Sequence, residues 1–130
     1  MEVRRKNYPH MAQPVGPYVH ATQYNGQLFL SGLTAFGTPA QGGAIAQQAK
    51  TILRQIADIA KEENTDLSSL VKVTLFVTGF DGLEDLREVL TRTYDGNLPA
   101  SSLVQVARLF SPDINIEMEA ILAVGSTPDN

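Results

Sequence analysis

The chain has 130 residues, 43% of them apolar and 18% charged, which is the size and composition of one self-folding globular domain rather than a disordered segment. Its net charge of -4 argues against a phosphate-backbone binder, and the absence of cysteine removes disulfides, thiolate nucleophiles, iron–sulfur clusters and cysteine zinc sites together. A cysteine-free chain without an apolar stretch behind its early basic residues reads as cytoplasmic, with no signal peptide, and no run approaches the length of a membrane span.

Residues 1–17 carry three prolines, including Gly16-Pro17, and no sustained period, so they read as an extended lead-in. A short strand is expected around Tyr18 to Thr22. Asn25-Gly26, between two β-prone runs, predicts a tight hairpin with Leu28 to Ser31 as the returning strand. Gly32 to Gly43 has several Gly and Pro residues and no apolar period, which predicts a long surface loop.

From Ala44 to Glu63 the apolar residues Ile45, Ala49, Ile52, Leu53, Ile56, Ile59 and Ala60 recur by threes and fours, as one stripe of a helix requires. Asn64 suits a left-handed stop, and Asp66 can open a short turn over Leu67 to Leu70. Val71, Val73, Leu75 and Val77 then alternate with Lys72, Thr74 and Phe76, a strand with one apolar face. Asp81 followed by Glu84 resembles a capping box, and Leu83, Leu86, Val89 and Leu90 predict a second amphipathic helix to about Tyr94, ended by Asp95-Gly96-Asn97. The last quarter, Leu98 to Val124, reads as a pair of strands joined through Ser111-Pro112-Asp113. The order ββ, helix, β, helix, ββ predicts an α+β sandwich, with two helices covering one face of a mixed or antiparallel sheet and the other face left to water or a neighbour.

In the final strand, alternation puts Ile114, Ile116, Met118 and Ala120 on one face and Asn115, Glu117, Glu119 and Ile121 on the other. Two carboxylates on one face either line a cleft together or form a wet outer surface. His10 and His20 have no carboxylate at metal-ligand spacing, so no metal site is expected. Ser69 and Lys72 match a Ser-x-x-Lys string but enter a strand rather than a helix, Gly37 to Gly42 lacks the Lys-Ser/Thr of a phosphate loop, and Ser31 has no nucleophile elbow around it.

Taken end to end, Gly16-Pro17-Tyr18, Leu30-Ser31-Gly32, the run Val71 to Val77, Pro99-Ala100, the run Val104 to Leu109 and Ile116-Glu117-Met118-Glu119-Ala120 stand in the order and spacing of the YjgF/RidA family, which the chain resembles across residues 14–124. The resemblance implies a single domain over residues 1–130, with residues 1–13 as lead-in and 125–130 as a tail. It further implies a chorismate-mutase-like fold in which three subunits form a homotrimer with a central barrel and helices outside. Clefts between subunits would hydrolyse reactive enamines and imines to 2-oxo acids and ammonia, with a small-molecule substrate, no cofactor, no nucleic acid and no membrane. Carried over by position, Glu117 matches the residue that activates water, and Tyr18 and Ser31 match cleft-lining residues. Where active members have an arginine that grips the substrate carboxylate, this chain has Ser101, which offers neither the charge nor the forked geometry. Leu103 stands at a position commonly cysteine, and Arg87 falls where the family has asparagine near the cleft, so a relocated cation is one implied route to substrate binding. Arg108 reads as structural. An RNA-cleaving activity fits poorly with an acidic chain lacking a histidine pair. The expectation is a hydrolase of imines that need not be 2-imino acids, or a non-catalytic trimer that binds a small molecule or a protein with the same cleft.

Overall fold

The sheet is built around the last strand, because its buried residues contact the helices on one side while its backbone pairs with a strand on each flank. A computed structural model describes residues 2–125; the expected tail over 125–130 lies, but for Gly125, outside the described residues. The elements are β1 (Arg4–Lys6), β2 (Ala21–Tyr24), β3 (Gln27–Leu30), α1 (Ile45–Glu62), β4 (Leu70–Val77), α2 (Leu83–Tyr94), β5 (Ala100–Gln105) and β6 (Ile116–Ala123). They form one six-stranded sheet in the order β1-β2-β3-β6-β4-β5, with two helices on one face. The fold is α+β, and the sheet is mixed because β4 and β5 run parallel while every other pair is antiparallel.

The hairpin between β2 and β3 turns at Asn25 and Gly26, with φ of 53° and 73°, the pair of positive values that a two-residue type I′ turn demands and that Asn-Gly supplies at low cost. In α1, Ile45, Ala49, Ile52, Leu53, Ile56, Ile59 and Ala60 are buried, facing Leu28, Leu30, Val73, Leu75, Val77, Ile116, Met118, Ala120 and Leu122 in one core. Each large side chain buried there contributes about 1.5–3 kcal/mol relative to exposure. Asn64 ends the helix at φ 61°, and the Asp66 carboxylate accepts the Ser68 N–H at 2.9 Å to start a 3₁₀ turn over Leu67–Ser69.

Four expectations need correcting. The N-terminal residues are extended but packed: β1 pairs with β2, Tyr8 is buried in the core, and its hydroxyl donates to Glu63 at 2.8 Å, contacts distant in sequence and so without a local signal. Along β4 the buried residues are Leu70, Val73, Leu75 and Val77, whereas Val71 is exposed, because a register shift between Leu70 and Lys72 absorbs one residue and turns it out of the core. No capping box forms at α2, where Gly82 holds the N-cap position with no side-chain cap bond. The last two strands are not partners. β4 lies between them, parallel to β5 and antiparallel to β6, so the segment from Val106 to Asn115 crosses over β4 instead of making a hairpin.

That crossover is anchored to α1 by Gln48, whose side chain is fully buried. Its amide donates to the carbonyls of Gly43 at 2.9 Å and Asp113 at 3.2 Å, and its oxygen accepts the Asn115 N–H at 3.1 Å. Among the described residues, no helix is long and apolar enough to cross a membrane.

Candidate functional site

Away from the helices, the sheet presents Thr22, Phe29, Lys72, Thr74, Phe76, Glu117, Glu119 and Ile121, none of them fully buried. Register places Glu117 opposite Phe76 and Glu119 opposite Thr74, so both carboxylates lie on this uncovered face, while Ile116 and Met118 face the core. The two differ in environment. Glu119 is exposed, but Glu117 is half-buried, and its side chain folds back over the backbone of Gly32. A Cβ at Gly32 would stand 2.9 Å from the Glu117 Cδ, so only glycine leaves room for the carboxylate in this position. Burial first, and the neighbouring Glu119 charge second, raise the Glu117 pKa above the ordinary carboxylate value. A carboxylate that holds its proton more tightly than usual is better matched to accepting and returning protons near neutrality.

Gly32 follows directly on Ser31 at the end of β3, and the chain is pinned there from both sides. The Leu33 N–H donates to the Met118 carbonyl at 2.8 Å and the Met118 N–H to the Leu33 carbonyl at 3.0 Å. The Ser31 hydroxyl donates to the Val19 carbonyl at 2.6 Å and its N–H to the His20 carbonyl at 3.0 Å. This brings the segment holding Tyr18 alongside Ser31. Tyr18 itself is 49% exposed, its N–H bonded to the Gly16 carbonyl at 2.8 Å.

His20 is fixed rather than free for chemistry. The Tyr8 N–H donates to its Nδ1 at 2.8 Å, so the ring proton is on Nε2, 2.8 Å from the Ala12 carbonyl that accepts it. The Tyr8 ring stacks on the imidazole at 6.0 Å. The imidazole thus clamps the N-terminal segment onto the strand that leads out of Tyr18.

The remaining candidates lie elsewhere in the protomer. Ser101 and Leu103 pair with Val73 and Leu75, so they belong to the helix-side face of β5, opposite to the face that carries Glu117, and β4 intervenes between the strands. Both are exposed on an unpaired edge. Arg87 is exposed on α2 and makes no ion pair among the described residues. Glu117, Ser31 and the Tyr18 segment are brought together, whereas Ser101, Leu103 and Arg87 are not joined to them within one chain. Gly32 enters the sequence reading as part of the Leu30-Ser31-Gly32 string, without a role in the site; its place immediately after Ser31 at a strand end is the signal for that role. A concavity of about 520 Å³ between the C-terminal ends of the helices, lined by Lys61, Asp66, Ser68, Tyr94 and Asp95 among others, contains none of the candidate residues. Among the described residues, no three His, Cys, Asp or Glu side chains gather as a metal cluster.

Residues 9–124 match the model of the family described as Endoribonuclease L-PSP. The chain is 32% identical over 113 residues to a RutC family protein of Pyrococcus abyssi, covering 84% of this chain and 87% of that one. It is 29% identical over 115 residues to the mouse protein named 2-iminobutanoate/2-iminopropanoate deaminase, covering 85% and 84%. Among solved structures, that of the yeast protein YEO7 superposes with a TM-score of 0.84 at 28% identity, over 95% of this chain and all of the yeast chain.

Proposed function

Since the chain belongs to the endoribonuclease L-PSP family, also known as YjgF/RidA, we propose that it hydrolyses reactive imines, or the enamines in equilibrium with them, to carbonyl compounds and ammonia, in clefts of a homotrimer. The observation that carries this reading is Glu117: a half-buried carboxylate of raised proton affinity, laid over Gly32 beside Ser31 on a sheet face that the helices leave uncovered. The deaminase names of relatives such as the mouse protein support the reaction class.

Glu117 has the chemistry for both halves of the reaction. It takes one proton from water as the water oxygen bonds to the imine carbon and passes that proton to the nitrogen, which gives a carbinolamine. It then takes the hydroxyl proton and delivers it to nitrogen as the C–N bond breaks, so that ammonia leaves and the carbonyl forms. No cofactor enters this balance.

The trimer is supported by two features of the protomer. Strand β5 is an exposed edge with no charged residue, an open template for another chain. Ser101 and Leu103 also face the opposite way from Glu117, so residues of both strands can line one cleft only if β5 comes from a second copy. With Ser101 in place of a guanidinium, the substrate need not be a 2-imino acid. The same serine favours the second reading, a trimer that binds small molecules without turnover.

Ammonia release from imines generated in solution separates the readings. Glu117→Gln is expected to lower any protein-dependent rate by about 10²–10⁴ with assembly unchanged, and Ser101→Arg to raise the rate on 2-iminopropanoate by about a hundredfold. An enzymatic rate indifferent to Glu117→Gln would remove the hydrolase mechanism, and no turnover of any imine by either protein would leave the binding trimer.

A further inference from the structure

The crossover loop and the loop after β3 carry an aromatic pair that the proposed chemistry does not use. Phe36 and Phe110 are 54% and 66% exposed, yet their rings meet edge to face with centroids 5.1 Å apart at an interplanar angle of 61°. Exposed phenylalanines scattered singly need no explanation, but two held in contact from distant parts of the chain form a defined apolar surface.

The frame beneath them is hydrogen-bonded. Asp113 ties the two loops together, its carbonyl accepting the Gly42 N–H at 3.0 Å and its carboxylate the Gln41 side chain at 2.9 Å. The Gly37 N–H donates to the Gln41 side-chain oxygen at 2.7 Å, and Ala35, beside Phe36, is fully buried. Both loops also run directly out of the candidate site. Phe36 comes three residues after Leu33, which pairs with Met118 next to Glu117, so its Cα lies within about 11 Å of the Leu33 Cα. Phe110 sits on the connection between β5, which carries Ser101 and Leu103, and β6, which carries Glu117.

We propose that Phe36 and Phe110 are a specificity-determining aromatic lip of the Glu117 site that selects imines bearing an aromatic or bulky apolar substituent, a proposal that rests on the hydrolase reading above. The residue changes point the same way. Ser101 withdraws the charged grip on a carboxylate, Leu103 adds apolar surface at the β5 edge, and the phenylalanine pair offers edge-to-face contact to a ring, so affinity moves from charge to apolar area.

The test compares imines formed in solution by an amine oxidase acting on propan-2-amine and on 1-phenylethylamine, with ammonia release read for the native protein, Phe36→Ala, Phe110→Ala and the double variant. The native protein is expected to favour the aromatic imine. Each substitution should lower the ratio of kcat/KM for the aromatic over the small imine by about tenfold, mainly through KM. An unchanged ratio at undiminished Glu117-dependent activity overturns the lip and leaves the hydrolase reading standing, as does a fall in activity on both imines that accompanies a changed molecular mass, which would make the pair an intersubunit contact. If the native protein turns over neither imine, the hydrolase reading fails, and the lip is then judged by acetophenone binding followed through the phenylalanine ring signals in NMR. Binding weakened at least about tenfold in the double variant supports the lip; absence of binding to the native protein overturns it.

Discussion

Glu117 is costly to the fold for the same reason that it is useful to the proposed chemistry. Its carboxylate is half-buried over Gly32, with Glu119 on the same face and with no ion-pair partner among the described residues. Because its pKa is raised, the folded protein binds this proton more tightly than the unfolded chain does. The favourable contribution is fully present below the unfolded carboxylate pKa and is lost as pH rises through the higher folded value. Glu117→Gln is therefore expected to melt at a higher temperature than the native protein at pH 7, with the advantage shrinking toward pH 4 as the native carboxylate becomes protonated. Thermal melts across that range check it; a variant less stable than native at pH 7 would mean that the carboxylate makes a favourable contact absent from the geometry described. Gly32 enforces the arrangement, since any side chain there would push the carboxylate off the Gly32 backbone.

At the scale of elements, the crossover from β5 to β6 decides whether Glu117 is aimed correctly, because β6 begins where that segment ends. Gln48 of α1 holds it by one bond donated to Asp113 and one accepted from Asn115, and donates a further bond to Gly43 ahead of its own helix, all from a side chain with no exposed surface. Gln48→Ala would leave the Asn115 N–H and the two carbonyls without these partners, at an expected cost of about 2–3 kcal/mol in denaturant unfolding. A loss within about 0.5 kcal/mol, as for an ordinary surface position, would show that water or a rearranged loop replaces the amide. At the other end, His20 performs the comparable task for the N-terminal segment, accepting the Tyr8 N–H and donating to Ala12, while Tyr8 and Lys6 both bond to Glu63 at 2.8 Å.

For the whole molecule, the two edges of the sheet are treated differently. The β1 edge carries Arg4, Arg5 and Lys6, charges that discourage pairing with another chain, whereas β5 has the sequence ASSLVQ and is exposed throughout. If β5 is where copies meet in the proposed homotrimer, a charge placed there should separate them. Val104→Lys is expected to reduce the mass measured by light scattering at micromolar concentration from three chains to the single 14.1 kDa chain, and to abolish hydrolysis with it, because Ser101 and Glu117 of one chain face opposite ways. A native protein that is already monomeric would remove the intersubunit cleft.

Local sequence determined what depends on near neighbours. The spacing of Ile45, Ala49, Ile52, Ile56 and Ile59 is itself the buried stripe of α1, Asn25-Gly26 carries the two positive φ values of its turn, and alternation along β6 places Glu117 opposite in direction to Ile116 and Met118. The family resemblance was legible for the same reason, as strings of residues in order. Strand pairing was not: nothing within Leu98 to Val124 says that β4 will come between β5 and β6, because the partners of a strand are chosen by contacts far away in sequence. The burial of Tyr8 against His20 and Glu63, the extra residue taken up at Val71, and the fit of Glu117 over Gly32 likewise arise only when distant segments meet. Chemical character was therefore readable along the chain, while proximity, and with it the separation of Glu117 from Ser101 onto opposite faces, was decided by the tertiary structure alone.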